Sequence, residues 1–201
     1  MDPGGGVRLG RADSLLAADS SVEALALKGK IALFRGDLAG ARDLLKEAGP
    51  FTGDRPSATR RIGVLGLLQV LDADSLPALG DALFRLERRD SAGAAPALEH
   101  VAQGLPPDRG GAELLLLAGQ IHNGLGHLVD AERLYRAALA SGAAAASPAA
   151  EFALADLLLK SGRKALAIAA LEHLLLTWPT SAVVPQARRL LDVARGAVPS
   201  S

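Results

Sequence analysis

The chain has 201 residues, 49% hydrophobic but only 3% aromatic, and its 22 Lys and Arg balance 22 Asp and Glu. Zero net charge removes the long-range basic field on which nonspecific DNA or RNA binding rests, and one Trp with one Tyr makes no platform for stacking bases, so nucleic acid is not an expected partner. The absence of Cys excludes a disulfide framework and thiolate metal sites but leaves the compartment open. Leu and Ala, both strong helix formers, dominate the apolar set, while residues suited to a pleated sheet are sparse and no run of four alternates cleanly; an all-α fold follows.

Along the chain, the opening Met1-Asp2-Pro3-Gly4-Gly5-Gly6 lacks the basic-then-apolar order of a signal peptide, and no apolar run approaches the roughly 18 residues of a membrane span, so no membrane insertion of this chain is expected. Arg11 to Asp19 reads like the second helix of a hairpin whose first helix is missing, and residues 1–21 are taken as a remnant helix and tail. A lost upstream segment would have had room for a signal peptide or a catalytic domain.

Self-comparison is more informative. Gly29 to Ala48 aligns without a gap to Gly119 to Ala138, and seven of these twenty positions are identical: Gly29/Gly119, Ile31/Ile121, Gly36/Gly126, Leu38/Leu128, Ala41/Ala131, Leu44/Leu134 and Ala48/Ala138. Each copy predicts a first helix with Gly at its midpoint, a turn at a second Gly with a polar neighbour (Gly36-Asp37, Gly126-His127), and a second helix. The second helix carries a small-large-small row at i, i+4, i+7 (Ala41, Leu45, Ala48; Ala131, Tyr135, Ala138) on one face. Ala lets the paired helices approach closely, while the larger residue fills the gap to the next hairpin. The row recurs as Ala94, Leu98, Val101 and as Ala167, Leu171, Leu174, each about a dozen residues after a small residue, Ala82 or Ala155. Hairpins therefore begin near Val22, Ser75, Ala112 and Pro148, and Pro106 and Pro179 close two of them.

This pattern resembles the tetratricopeptide repeat, whose unit of about 34 residues has small residues where its paired helices touch and a Pro at its end. The resemblance covers roughly Val22 to Asp192. It implies a right-handed α-solenoid of stacked helix-turn-helix hairpins, with repeats at 22–55, 75–108, 112–145 and 148–181. In the 75–108 unit Arg89 replaces the turn Gly. The aromatic residues usual in the first helix are replaced by Leu25, Ala32, Leu115 and His122, which marks a divergent member, read as bacterial in type. Between the first two repeats, 56–74 holds one extra helical segment from Ser57 to Leu71, apolar at Ile62, Leu65 and Val70, read as a decayed repeat at which the solenoid bends or skips. Val184 to Arg195 reads as a capping helix (182–195) with Leu190 and Leu191 inward and Gln186, Arg188 and Arg189 outward, followed by a tail at 196–201. The phrase Trp178-Pro179-Thr180-Ser181 before an Ala-rich helix looks like those of bacterial envelope proteins of the same family.

No catalytic, cofactor-binding or metal-binding residue is expected. None of the four His forms a HExxH-type ligand spacing. His100 and His173 repeat a phrase, Leu98-Glu99-His100 and Leu171-Glu172-His173, as duplication would give; His122 replaces an apolar residue and His127 lies in a turn. The pairs Arg60-Arg61, Arg88-Arg89 and Arg188-Arg189 read as solvated surface near helix ends. Arg35-Gly36-Asp37 is explained by its turn, no phosphate loop is present, and no Ser stands out as a nucleophile.

The resemblance implies that the first helix of each hairpin lines a concave groove, which puts Lys30, Glu113, Leu116, Gln120, Asn123, Phe152, Asp156 and Lys160 on the binding face. The family's clamp for a C-terminal carboxylate needs Lys and Asn on successive hairpins; the corresponding residues here are Lys30, Leu83, Gln120 and Asp156, so that activity is not implied. The expected function is a non-catalytic scaffold or adaptor holding a protein or peptide partner. An envelope-assembly protein and the C-terminal repeat region of a larger enzyme or signalling protein are the alternatives, and partner identity, oligomeric state and compartment stay open.

Overall fold

The computed structural model describes residues 19–49 and 55–196. Among them the regular structure is helical: α1 (Val22–Phe34), α2 (Leu38–Glu47), α3 (Arg55–Val70), α4 (Pro77–Glu87), α5 (Ser91–Gln103), α6 (Gly111–Gly124), α7 (Leu128–Ala140), α8 (Ser147–Lys160), α9 (Lys164–Thr177) and α10 (Val184–Arg195), with one 3₁₀ turn at Pro107–Arg109. The fold is all-α, as composition predicts. The helix read at Arg11–Asp19 lies outside the described residues, Asp19 apart, as does most of the 196–201 tail.

The chain divides into two compact units, the first ending at Arg89 and the second beginning at Asp90, so the boundary falls inside the 75–108 repeat. In the first unit α1 packs on α2, α3 packs on α2, and α4 packs on α1. In the second unit helices pack in chain order from α5 to α10, and alternate helices α6, α8 and α10 also touch. That order is the packing of a helical repeat, in which each hairpin covers the apolar face of its neighbour.

The small-large-small rows form the core. Ala41, Leu45, Ala48, Ala94, Leu98, Val101, Ala131, Tyr135, Ala138, Ala167, Leu171 and Leu174 are all buried, and so are the midpoint residues Ala82 and Ala155. Gly29 and Gly119 show why the first helix needs its small residue. A Cβ at Gly29 would lie 2.8 Å from Leu45 Cγ, and one at Gly119 would lie 2.7 Å from Tyr135 Cε1. The large residue of the row thus sits directly on the glycine of its own hairpin. Tyr135 also reaches the next hairpin, sharing a cluster with Leu154, Leu157, Leu158 and Ala167.

Two details differ from the sequence expectation. Among the described residues of α3 the buried ones are Arg61, Leu65 and Leu68, with Leu71 just past its end also buried, whereas Ile62 is 43% exposed. At 100° per residue, Arg61 shares the Leu65 and Leu68 face and Ile62 falls off it. Arg61 is therefore a buried mid-helix residue and not part of a solvated helix end. The last helix, α10, has Leu191 buried, Leu190 half-buried and Gln186, Arg188 and Arg189 exposed.

The turns obey one backbone rule. Gly36, Gly126 and Gly162 have φ of +77°, +80° and +76°, and Arg89 adopts the same left-handed conformation at +62° without a glycine. For an L-residue that conformation costs roughly 1–2 kcal/mol. Gly36 is under a second constraint, because the approach to α4 lies against it. Leu76 N donates to Gly36 O at 2.7 Å, Leu38 N donates to Asp74 O at 2.8 Å, and a Cβ at Gly36 would lie 2.4 Å from Pro77 Cα. At Gly126 an added Cβ meets nothing within 4 Å. Gly126→Ala should therefore cost only the conformational term, about 1–2 kcal/mol, while Gly36→Ala must also displace backbone and should cost more. Urea or thermal midpoints of the two variants check this ordering; equal losses would mean that α4 does not hold the first turn.

Candidate functional site

Of the eight residues expected on the binding face, Lys30 belongs to the first unit and the other seven to the second. Lys30 is half-exposed on α1, where its Nζ lies 2.6 Å from Glu87 Oε1 of α4 and 5.7 Å from the centre of the Phe34 ring. Phe34 in turn packs on Phe84 with ring centres 5.3 Å apart. Lys30 is thus held within its own unit.

In the second unit the residues lie in two helical rows, Glu113, Leu116, Gln120 and Asn123 along α6 and Phe152, Asp156 and Lys160 along α8, at the i+3/i+4 spacing of one helix face. The two helices pack on each other. Gln120 and Lys160 are exposed, while Asn123 and Asp156 are half-buried. Tyr135 lies beside both rows: it is 1% exposed, and the Asn123 side chain and the Asp156 charge both act on its hydroxyl. Burial first, and then the Asp156 carboxylate, push the phenol up to about 12. Lys160 Nζ lies 2.6 Å from Asp156 Oδ2, one turn away on the same helix.

Three of the seven are more enclosed than an open groove face implies. Leu116 packs against the cluster around Tyr135, and Phe152 packs against the cluster of Leu171, Leu174, Val184 and Leu191, toward α9 and α10. Both Glu113 carboxylate oxygens are buried without a hydrogen-bond partner among the described residues. Glu113 lies in the first turn of α6, where the positive end of the helix dipole offsets part of that cost.

The second helices carry a ladder of ion pairs that links successive hairpins. Nη1 and Nη2 of Arg133 on α7 donate to the two carboxylate oxygens of Glu99 on α5, at 2.8 and 3.0 Å. Arg163, just before α9, donates to both Glu132 oxygens of α7 at 2.8 and 2.7 Å, and Arg195 of α10 pairs with Glu172 of α9. Glu99 and Glu172 are the glutamates of the repeated Leu-Glu-His phrase, and both pair with an Arg further along the chain, Glu99 with one two helices on and Glu172 with one on the following helix. Their histidines have diverged. His100 is exposed, whereas His173 Nδ1 lies 2.8 Å from the buried Glu151, its Nε2 lies 3.2 Å from Thr177 Oγ1, and its ring meets Trp178 edge-on at 5.7 Å. Burial raises the Glu151 carboxyl above the ordinary glutamate value.

Linear spacing also misses a cluster that the turn after α6 creates. His122 Nδ1 and His127 Nδ1 lie 3.3 Å apart, and with an Asp130 oxygen these ligand-type atoms all fall within 4.8 Å of one another. The signal available in the sequence was two histidines flanking a Gly-containing helix end.

No family model matches this chain, and no curated protein matches it. A solved structure does: the crystal structure of the P58(IPK) TPR domain is 16% identical with a TM-score of 0.50, over 87% of this chain and 45% of that one. This chain thus spans less than half the length of that structural neighbour. Among the described residues no helix is long and apolar enough to cross a membrane.

Two measurements follow. Tyr135 is the sole tyrosine, so alkaline absorbance titration reads it directly, with an expected midpoint near 12 and not near 10. A midpoint near 10 in the folded protein would place the ring in water. The second uses Glu132, whose carboxyl the Arg163 bond holds below the ordinary glutamate value, with Arg136 adding to the effect. A depressed folded-state value contributes stability above the unfolded value that is lost as pH falls through the folded one. Glu132→Gln should lower the melting temperature at pH 7, and the difference from the parent should shrink as pH falls below the ordinary glutamate value and vanish only below the depressed folded one. A difference that persists in acid would make packing, not charge, the contribution of Glu132.

The likeness to the P58(IPK) domain is one of architecture: this chain has a helical-repeat fold built of α-hairpins.

Proposed function

We propose that the chain is a non-catalytic scaffold that holds an extended peptide segment of a protein partner along α6 and α8. The observation that carries this reading is the pair of adjacent rows in which Gln120 and Asn123 offer amide groups for a peptide backbone and Asp156 and Lys160 offer charges of both signs. Tyr135 braces them from below, and a site held by buried packing loses less entropy on binding. Phe152, half-buried toward α9, supplies apolar surface at the end of the row. The fold supports the same reading, since a helical repeat offers extended surface and little enclosed volume. A divergent tetratricopeptide repeat of bacterial type is the family this reading places it in.

The hydrogen-bonded row Glu151, His173, Thr177 has the order of a carboxylate, a base and a hydroxyl, but its position argues against nucleophilic catalysis. Thr177 is the last residue of α9, where helix carbonyls present negative charge to a developing oxyanion. The reading therefore includes no enzymatic step and no cofactor.

Selection from a random-peptide display library on the whole chain, followed by fluorescence anisotropy with the selected peptides, tests the proposal. Gln120→Ala with Asn123→Ala should weaken binding at least about tenfold, or roughly 1.4 kcal/mol, while Arg188→Ala with Arg189→Ala on α10 should leave it unchanged. Circular dichroism verifies that both double variants stay folded. Binding that survives the first pair and is lost with the second would move the working surface away from α6 and α8.

A further inference from the structure

We infer that the turn between α6 and α7 is a site for one divalent transition-metal ion, with His122, His127 and Asp130 as its protein ligands. Gly126 N donates to Asn123 O at 3.0 Å and His127 N donates to His122 O at 2.9 Å, the paired bonds of a Schellman helix end with Gly126 in the left-handed position. In this motif the side chains of the two residues joined by the longer bond come together, usually as an apolar contact. The same turn occurs where Asp37 N donates to Ala32 O at 3.0 Å and where Arg163 N donates to Leu158 O at 2.9 Å. The corresponding pairs there are Ala32 with Asp37 and Leu158 with Arg163, neither of which offers two ligands. Of these three turns, the one at Gly126 has histidine at both positions.

The rings meet through their Nδ1 atoms at 3.3 Å, with ring centres 5.5 Å apart. Two nitrogens bound to one tetrahedral zinc at about 2.0–2.1 Å stand about 3.3–3.4 Å from each other, so the backbone turn already sets the spacing that coordination needs. Asp130 is placed by a second local rule. It is three residues beyond His127, the residue that caps α7, and from that position a carboxylate reaches back toward the helix start. Its Oδ1 also lies 3.5 Å from Arg133 Nη2, but Arg133 keeps a bidentate partner in Glu99, so Asp130 can turn to a metal without stranding the guanidinium. His127 is exposed and the other two residues are half-buried, which leaves an entry path and room for water as the remaining ligand. Two imidazole nitrogens with one carboxylate select zinc, nickel or copper over magnesium or calcium.

Calorimetric titration of zinc chloride into the whole chain at pH 7.5 should give one ion per chain with a micromolar dissociation constant. His122→Asn and His127→Asn should each weaken binding at least about tenfold, a loss of roughly 1.4 kcal/mol, and Asp130→Asn should weaken it as well. His100→Asn and His173→Asn should bind like the parent. Zinc should raise the melting temperature at pH 7.5, and a chelator should reverse the gain. The exposed His127 makes its variant the one least able to disturb folding, and circular dichroism checks it. No uptake by the parent at micromolar zinc, or full affinity in His127→Asn, would overturn the assignment and leave the contact as a hydrogen bond between two imidazoles.

Discussion

The structure depends on how closely the two helices of a hairpin approach. At Gly29 and Gly119 the partner helix is so near that no side chain fits, because Leu45 and Tyr135 already occupy the volume a Cβ would need. Close-packed interiors do not tolerate such overlap, so the glycine and the bulky residue opposite it form one steric unit. Much of the second unit follows from it. With Tyr135 seated on Gly119, its ring joins the cluster made with α8 and its hydroxyl arrives at Asn123 beside Asp156. A packing constraint inside one hairpin thereby positions polar groups of two.

The ion-pair ladder acts between hairpins where the glycine acts within them. Isolated exposed pairs contribute little, because water screens them and long side chains lose freedom. The pairs Arg133 with Glu99 and Arg163 with Glu132 are bidentate, and the Glu99 and Glu132 side chains are only 18% and 13% exposed, so geometry as well as charge is specified. Their contribution is better understood as register. A sliding of one second helix along the next would break two directional bonds at once, whereas apolar rows of Ala and Leu tolerate small shifts.

Helix positions, turn glycines and the buried rows were legible from the sequence because each follows a local rule: a period of 3.6, a left-handed residue at a helix end, small residues at contacts. The exchange at Arg89 was also visible, since the alignment leaves that position no other conformation. Less legible was the packing of the single helix α3, which has no second copy to define its inward face; hence Ile62 and Arg61 exchanged places relative to expectation. The residues expected on a binding face lie on α1, α6 and α8, but the burial of the Glu113 carboxylate and the turning of Phe152 toward α9 depend on neighbouring hairpins and carry no signature in their own helix. The His122 and His127 contact was hidden for a different reason. Searches for metal ligands look for fixed spacings on one element, and here a chain reversal supplies the spacing.

The scarcity of aromatic residues gives the second unit an optical property. Its sole tyrosine, Tyr135, lies in the cluster where α7 meets α8, and its sole tryptophan, Trp178, packs beside the cluster of α9 and α10 while its ring touches His173. Consecutive layers of one repeat array thus carry different natural chromophores. In such arrays stability is a sum of unit and nearest-neighbour contributions, so layers can loosen in sequence and not all together. Tyrosine and tryptophan emission followed side by side would resolve that order in the unlabelled protein.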